Sequence, residues 1–347
     1  MKIGIYSPYL SAFGGGERYV LTLAEHLSFK NDVSIFWDKD ITDQALERLA
    51  INIKNVAFVN NIFSKKHFLL KKLFTTGQYD LLFFLSDGSI PLTLAKNNIV
   101  HFQRPFKKVS RFSQLKIKRI KHVICNSNFT KKYIDRVYKT DSSVIYPPVD
   151  IGSFKIGIKK DLIISVGRFH PFKKQNEIIK AFKIFSKHCP SWQLVLIGGL
   201  LKKDTDYFKE IEKISCDGKI KLLLNEPFMN LKEYYSQAKI YWHAAGFSES
   251  KTLYPERMEH FGITTVEAMA SGCVPLVFDG GGEKEIVTSG KDGYLWKNTE
   301  ELIFFTEKLA NDESKREELM KSAIDRSHKF SKEIFCKEID KLMLNLR

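Results

Sequence analysis

Two glutamates separated by seven residues, Glu259 and Glu267 in EHFGITTVEAMASG, stand in a segment suited to a phosphorylated ligand. Residues 239 to 245 read as a strand, a polar loop follows, and a helix opens near Gly262 with Val266, Met269 and Ala270 along one face. The first N–H groups of a helix lack internal partners and carry partial positive charge, so the amides of Phe261, Gly262, Ile263 and Thr264 can cradle a diphosphate. Gly262 permits close approach. Glu267, a little over one turn into the helix, can accept paired hydrogen bonds from vicinal ribose hydroxyls, and Glu259, before the helix, can meet a sugar hydroxyl. Taken alone, the pair reads more readily as two carboxylates that complement a helix dipole or face solvent.

Other residues shift that balance. In SVGRFHPFKKQ, Arg168 ends a strand and Lys173 follows in the loop, with Lys174 beside it. Guanidinium binds phosphate bidentately and ammonium adds a point charge, which suits a diphosphate and the charge that develops on a leaving group. His101, ending the apolar run of NNIVHF, is either a satisfied core residue or the histidine that points at a ligand, with His243 and His260 as lesser candidates. Asn126 and Ser127 end another strand and are expected to cap the next helix. AFGGGERY enters the first helix through three glycines. A dinucleotide fold needs a third glycine where Tyr19 stands, so the run reads as a turn or as a loop that lets a substrate press on backbone. The Asp38–Asp40 and Asp204–Asp206 pairs could ligate a divalent metal, but they fall where a turn and a helix N-cap are expected. No HExxH, GxSxG or GxxxxGK[ST] occurs.

These residues need rigid elements to hold them. Strands are expected near 2–8, 32–38, 53–59, 80–87, 98–103, 122–127 and 143–147, with helices near 15–28, 64–75 and 128–138. Unbroken apolar runs such as LLFFL and HVIC predict strands covered on both faces, hence a mostly parallel sheet. After YPPVD a linker spans 149–160, and a second series places strands near 161–167, 192–198, 219–224, 239–245 and 273–278, with a final helix near 331–345. The fold class is therefore α/β, two doubly wound Rossmann-like domains facing a cleft, over 1–150 and 151–330, with a C-terminal helix, 331–347, crossing back to the first.

Composition narrows the class further. The 347 residues are 44% hydrophobic and 27% charged, without low-complexity tracts. No window approaches a membrane-spanning length, and the five scattered cysteines suggest neither disulfides nor zinc, so a cytoplasmic protein is expected. The formal charge of +15 concentrates in residues 103–139, which hold twelve basic side chains against Asp135. Such a stretch is either a solvated lysine-rich surface or a contact for an anionic membrane, a placement peripheral at the inner membrane face. No nucleic-acid motif accompanies it, and no nucleic acid partner is expected.

Taken together, GGGER, the His101 strand end, CNSNFT, YPPVD, VGRF with its lysines, EHFGITTVEAMASG and GGGEKEIVTSGKDGYL resemble the retaining glycosyltransferases of family 4, which have the GT-B fold. GGGER with EHFG is similar to the mannosyltransferase branch that extends lipid-linked oligosaccharides or polysaccharides. The resemblance implies a hexosyltransferase that moves a hexose from a GDP-sugar or UDP-sugar to a glycan or glycolipid acceptor, with retention and no metal or other cofactor. It implies that Arg168 and Lys173 hold the diphosphate, Glu267 the ribose and Glu259 the transferred sugar. His101 would help position that sugar, Gly15 and Gly16 would lie near phosphates or acceptor, and Glu285 would support the nucleotide pocket. One departure is GFSESKTLYPERM, longer than the usual connection and readable as a lid or an acceptor-selecting loop. A phosphorylase or sugar-nucleotide epimerase of the same fold, or a non-catalytic basic module that binds sugar nucleotides or RNA, are the other readings open to these residues.

Overall fold

A computed structural model describes residues 1–10, 14–63 and 68–346. Ala12 and Phe13 of the glycine loop, and the expected helix start at 64–67, lie outside the described residues. The chain divides into two compact units, one of Met1–Pro148 with Lys332–Arg347, the other of Val149–Ser331.

The first unit runs β1 (Lys2–Tyr6), α1 (Gly15–Ser28), β2 (Asp32–Phe36), α2 (Thr42–Leu49), β3 (Val56–Val59), α3 (Leu69–Thr76), β4 (Leu81–Ser86), β5 (Asn97–Phe102), α4 (Arg111–Ile117), β6 (His122–Cys125), α5 (Asn128–Tyr138) and β7 (Ser143–Val144). Its sheet is parallel throughout, in the order β3-β2-β1-β4-β5-β6-β7. Strand β4, LLFFLS, shows why: all six residues are buried. Leu81, Phe83 and Leu85 enter one apolar cluster with α1, while Leu82 and Phe84 enter another with Val100, Phe102 and Tyr138. A strand apolar at every position needs cover on both faces, which the crossover helices supply.

The second unit runs β8 (Lys160–Val166), α6 (Gln175–His188), β9 (Gln193–Gly198), α7 (Thr205–Ile214), β10 (Ile220–Leu224), α8 (Phe228–Gln237), β11 (Ala238–His243), α9 (Ile263–Ala270), β12 (Val274–Phe278), α10 (Glu283–Ile286), β13 (Tyr294–Trp296), α11 (Thr299–Asn311) and α12 (Glu313–Ser327). Its parallel sheet has the order β10-β9-β8-β11-β12-β13. The last helix, α13 (Lys332–Leu344), belongs to the first unit. Its Phe335, Ile339 and Leu342 fall on one helical face and join the cluster around α1. Each such buried side chain contributes about 2 kcal/mol. An ion pair of Lys332 with Glu25 at 2.6 Å and a hydrogen-bond contact of His26 with Asp340 at 2.8 Å flank them.

Differences from the sequence reading have local causes. The basic stretch contains α4, in which only Ile117 is buried, so it carries almost no apolar period. The expected linker holds a short 3-10 turn, Ile151–Ser153, after which Phe154 packs edge-on to Phe228 and Tyr235. Ser127 caps α5 as expected, its Oγ accepting from the Thr130 amide at 3.0 Å.

Candidate functional site

In the second unit the strand order turns between neighbours β8 and β11. Loops that leave the carboxyl ends of such a pair diverge to opposite faces and open a crevice for a ligand. Arg168, Lys173 and Lys174 follow β8; His243 ends β11, and Glu259 lies on the connection to α9. The three segments meet there.

A short turn, Pro171–Lys173, presents the lysines; His170 Nδ1 caps it by accepting from the Phe172 amide at 3.1 Å. Arg168 is exposed, and its carbonyl accepts from Gln175 Nε2 at 3.0 Å. Lys173 Nζ donates to Glu259 Oε2. The same oxygen lies 2.9 Å from Nε2 of His243, whose side chain is 4% exposed. On its other side His243 presents Nδ1, 3.3 Å from Oε1 of Glu283. Glu283 is fully buried and accepts from Thr265 Oγ1 at 2.9 Å.

The two carboxylates are pushed in opposite directions. Burial works to raise the pKa of Glu259, but the Lys173 charge and the His243 hydrogen bond outweigh it and hold the group well below the usual carboxylate range. Glu259 is therefore an anion, and His243 Nε2 must be the N–H that donates to it. Burial pushes Glu283 up to about 7; His243 opposes the rise only when it carries a charge, and the negative Glu259 adds to it. His243, Glu259 and Glu283 are of metal-binding type, with ligand atoms within 4.8 Å of one another. Within that group the Lys173 ammonium donates to Glu259 Oε2.

Glycines make the arrangement possible. Gly262 has φ +117°, and a Cβ there would stand 2.5 Å from Glu283 Oε1. The Gly281–Gly282 pair lies against the backbone of Glu259 and His260, with the Gly282 amide donating to the Glu259 carbonyl at 2.8 Å. Only a chain without side chains there lets Glu283 lie under the N-terminus of α9. Phe261 anchors that corner, 3% exposed and edge-on to Phe330 at 5.4 Å. Ile263 and Thr264 are partly exposed, and their amides are among the first of α9, which have no helical acceptor. Thr264 Oγ1 is tied to the Tyr241 hydroxyl at 2.8 Å.

The other expected residues lie as follows. Glu267 is 3% exposed, its Oε2 accepting from the Tyr235 hydroxyl at 3.3 Å. Glu285 is half-buried, and its carbonyl accepts from Arg326 Nη2 at 2.8 Å. Gly15 and Gly16 open α1 in the first unit; Gln103 Nε2 donates to the Gly16 carbonyl at 3.3 Å. His101 takes the core placement, the other of its two readings. Its ring is fully buried, stacked on Tyr19 at 3.9 Å, and neither nitrogen has a hydrogen-bond partner among the described residues. Tyr19 roofs the strand end and encloses the imidazole. Burial drives its pKa down to about 3, so it is neutral near pH 7. Asp38 and Asp40 accept backbone amides of Asn61 and Thr42, each at 2.8 Å, while Asp204 lies 3.8 Å from His170 and Asp206 3.9 Å from Lys209.

Sequence reasoning passed over Glu283, hidden in a glycine run, and ranked His243 low. It also left the long connection unplaced. Within that connection Glu249 pairs with Lys174 at 2.7 Å and with Arg257 at 3.0 Å, and the Arg257 guanidinium stacks over Tyr254 and Phe172.

Comparison with known proteins gives the chain a family and a fold. The family described as "Glycosyl transferases group 1" matches residues 150–326, and "Glycosyltransferase Family 4" matches 13–153. The human GDP-Man:Man(3)GlcNAc(2)-PP-Dol alpha-1,2-mannosyltransferase is 32% identical over 240 residues, 61% of this chain and 46% of that protein. The O-antigen chain mannosyltransferase RfbU of Salmonella typhimurium is 31% identical over 219 residues, 58% of this chain and 57% of that one. The chain thus spans about half the length of these relatives. Among solved structures, Anabaena HepE in complex with UDP and glucose superposes with a TM-score of 0.77 at 20% identity, covering 99% of this chain and 100% of that one. The shared fold is GT-B.

Proposed function

Because this chain belongs to the group 1 glycosyl transferases, we propose that it moves a hexose, mannose first among the candidates, from a GDP-sugar or UDP-sugar to a glycan or glycolipid acceptor. The observation that carries the reading is Glu259, held as an anion between Lys173 and His243 beside the N-terminus of α9. Lys173, with Arg168 on the same loop, would bind the diphosphate and stabilise the charge that grows on it as the glycosidic bond breaks. Glu259 would then orient the transferred sugar and Glu267 the ribose. Two mannosyltransferases among the relatives support mannose. Gly15, Gly16 and Glu285 keep the supporting roles that the family resemblance implies; His101, sealed beneath Tyr19, is left out of that set.

We also propose retention of anomeric configuration without a metal, since cations and a helix terminus stand where a metal would act. Purified protein incubated with a panel of nucleotide sugars should release nucleotide from one of them, and EDTA should leave the rate unchanged. Glu259→Ala should lower it at least a hundredfold. A variant as fast as the parent would remove Glu259 from the reaction, and loss of turnover in EDTA would restore a metal to it.

A second proposal concerns residues 103–139. Helix α4 leaves Phe112 and Leu115 59% and 61% exposed beside Arg111 and Lys116, a combination suited to an anionic membrane surface. No helix among the described residues is long and apolar enough to cross a membrane.

A further inference from the structure

We propose that Glu283 and His243 form a buried proton-sharing couple that keeps Glu259 in place when the donor diphosphate draws Lys173 away. Both are then positioning residues, and the inference rests on the diphosphate reading of the site.

Glu259 Oε2 has two partners of different freedom. Lys173 sits on a short turn with its side chain 32% exposed, within the segment that would meet the phosphates. His243 ends a central strand, 4% exposed, and has nowhere to go. An ammonium that turns to a diphosphate leaves the Glu259 carboxylate, 17% exposed, without its cation. A buried carboxylate in that state is costly unless the remaining partner becomes positive. His243 becomes positive only if Nδ1 gains a proton, because Nε2 already donates to Glu259.

The group facing Nδ1 is Glu283, at 3.3 Å but not hydrogen-bonded to it while Lys173 holds Glu259, so the transfer needs the two to close together. It is cut off from solvent, it has Thr265 on one oxygen, and its Oε2 has no hydrogen-bond partner among the described residues. Such a carboxyl holds a proton to unusually high pH, here up to about 7, burial being the largest cause. Transfer breaks the O–H bond of Glu283 as the Nδ1–H bond of His243 forms. Neutral acid and neutral imidazole become carboxylate and imidazolium, so the total charge of the couple is unchanged. The charged or titratable groups facing it are Lys173 from the turn, Glu259 from the connection and Tyr241 from β11. Tyr241 is raised well above its usual range, burial first among the causes, and stays protonated.

The couple gives nucleotide affinity a pH dependence. Isothermal titration with GDP and with UDP from pH 5.5 to 9 should show wild-type affinity falling once the shared proton is lost. In Glu283→Gln the amide cannot supply that proton, and the fall should move at least one pH unit lower, about a tenfold weaker affinity at pH 7.5 with little change at pH 5.5. Thr265→Val removes a hydrogen bond that favours the ionised carboxyl and should move the fall to higher pH. It also serves if Glu283→Gln does not fold. Wild-type and variant profiles that superimpose would overturn the couple while leaving the diphosphate site standing. Absence of GDP and UDP binding in the wild type would overturn both.

Discussion

Glu249 Oε1 lies 2.7 Å from Lys174 Nζ, which ties the long connection between β11 and α9 to the turn that carries Lys173. The same carboxylate holds Arg257 through Oε2 at 3.0 Å. With its side chain 12% exposed, Glu249 bridges Lys174 of the turn and Arg257 of the connection itself. Glu249→Ala should leave the core intact and loosen this strap alone. Trypsin cleavage after Lys251 and Arg257 should accelerate several-fold, with a melting temperature within about 3 °C of the parent. Unchanged cleavage would show that the strap is held by other contacts.

Gly262→Ala tests the corner under α9. The new methyl would occupy a positive-φ position and meet the Glu283 carboxyl, for which the fold has no room. A cost of about 2 to 3 kcal/mol is expected in urea denaturation, together with lost nucleotide binding. A neutral substitution would mean that Glu283 can swing away freely.

Glu283 makes stability fall with rising pH. Its folded pKa of about 7 lies above the ordinary 4.5, so between those values the folded state binds the proton that the unfolded state has released. Stability contributed by this group is present below pH 4.5 and is lost as pH rises through 7. Glu283→Gln removes the effect, so its stability relative to the parent should improve by up to about 3 kcal/mol between pH 4.5 and 8. Parallel pH curves would contradict the raised value.

His101 acts at the acid end. Burial lowers its pKa from 6.5 to about 3, so the unfolded chain binds the extra proton between those values. Its stability contribution is present above pH 6.5 and falls by about 1.4 kcal/mol per unit as pH drops toward 3. His101→Phe, which keeps a ring against Tyr19, should flatten that part of the acid denaturation curve. If the parent and the variant lose stability alike, the imidazole is reachable by protons in the folded state.

The proposed membrane contact is a matter of charge and apolar area together. The protein should sediment with phosphatidylglycerol-rich vesicles at low ionic strength and come off as salt rises. Replacing Phe112 and Leu115 by Ser should weaken binding about tenfold or more at constant charge. Equal binding to neutral vesicles would argue against the basic stretch as the contact.

The amino-acid order by itself determined the doubly wound architecture. Runs such as LLFFL are apolar at every position, and a strand of that kind is stable only inside a parallel sheet covered by helices. The boundaries of α1 and α5 were legible as well, because a glycine entry and a serine cap mark the helix starts. Lys173, Glu259 and Gly262 could be singled out because charged residues and a glycine stand where strands end and a helix begins. Which of them touch, and through what, was decided only in three dimensions. Glu283 looks like a surface residue in a glycine-rich turn, yet close packing of Gly262, Gly281 and Gly282 carries it fully beneath α9 and against His243. His101 looks like a strand-end ligand contact until Tyr19, from a different element, closes over its ring. Local periodicity reports which face of an element seeks cover. The partner that provides the cover, and the pKa that follows from it, come from residues distant in the chain.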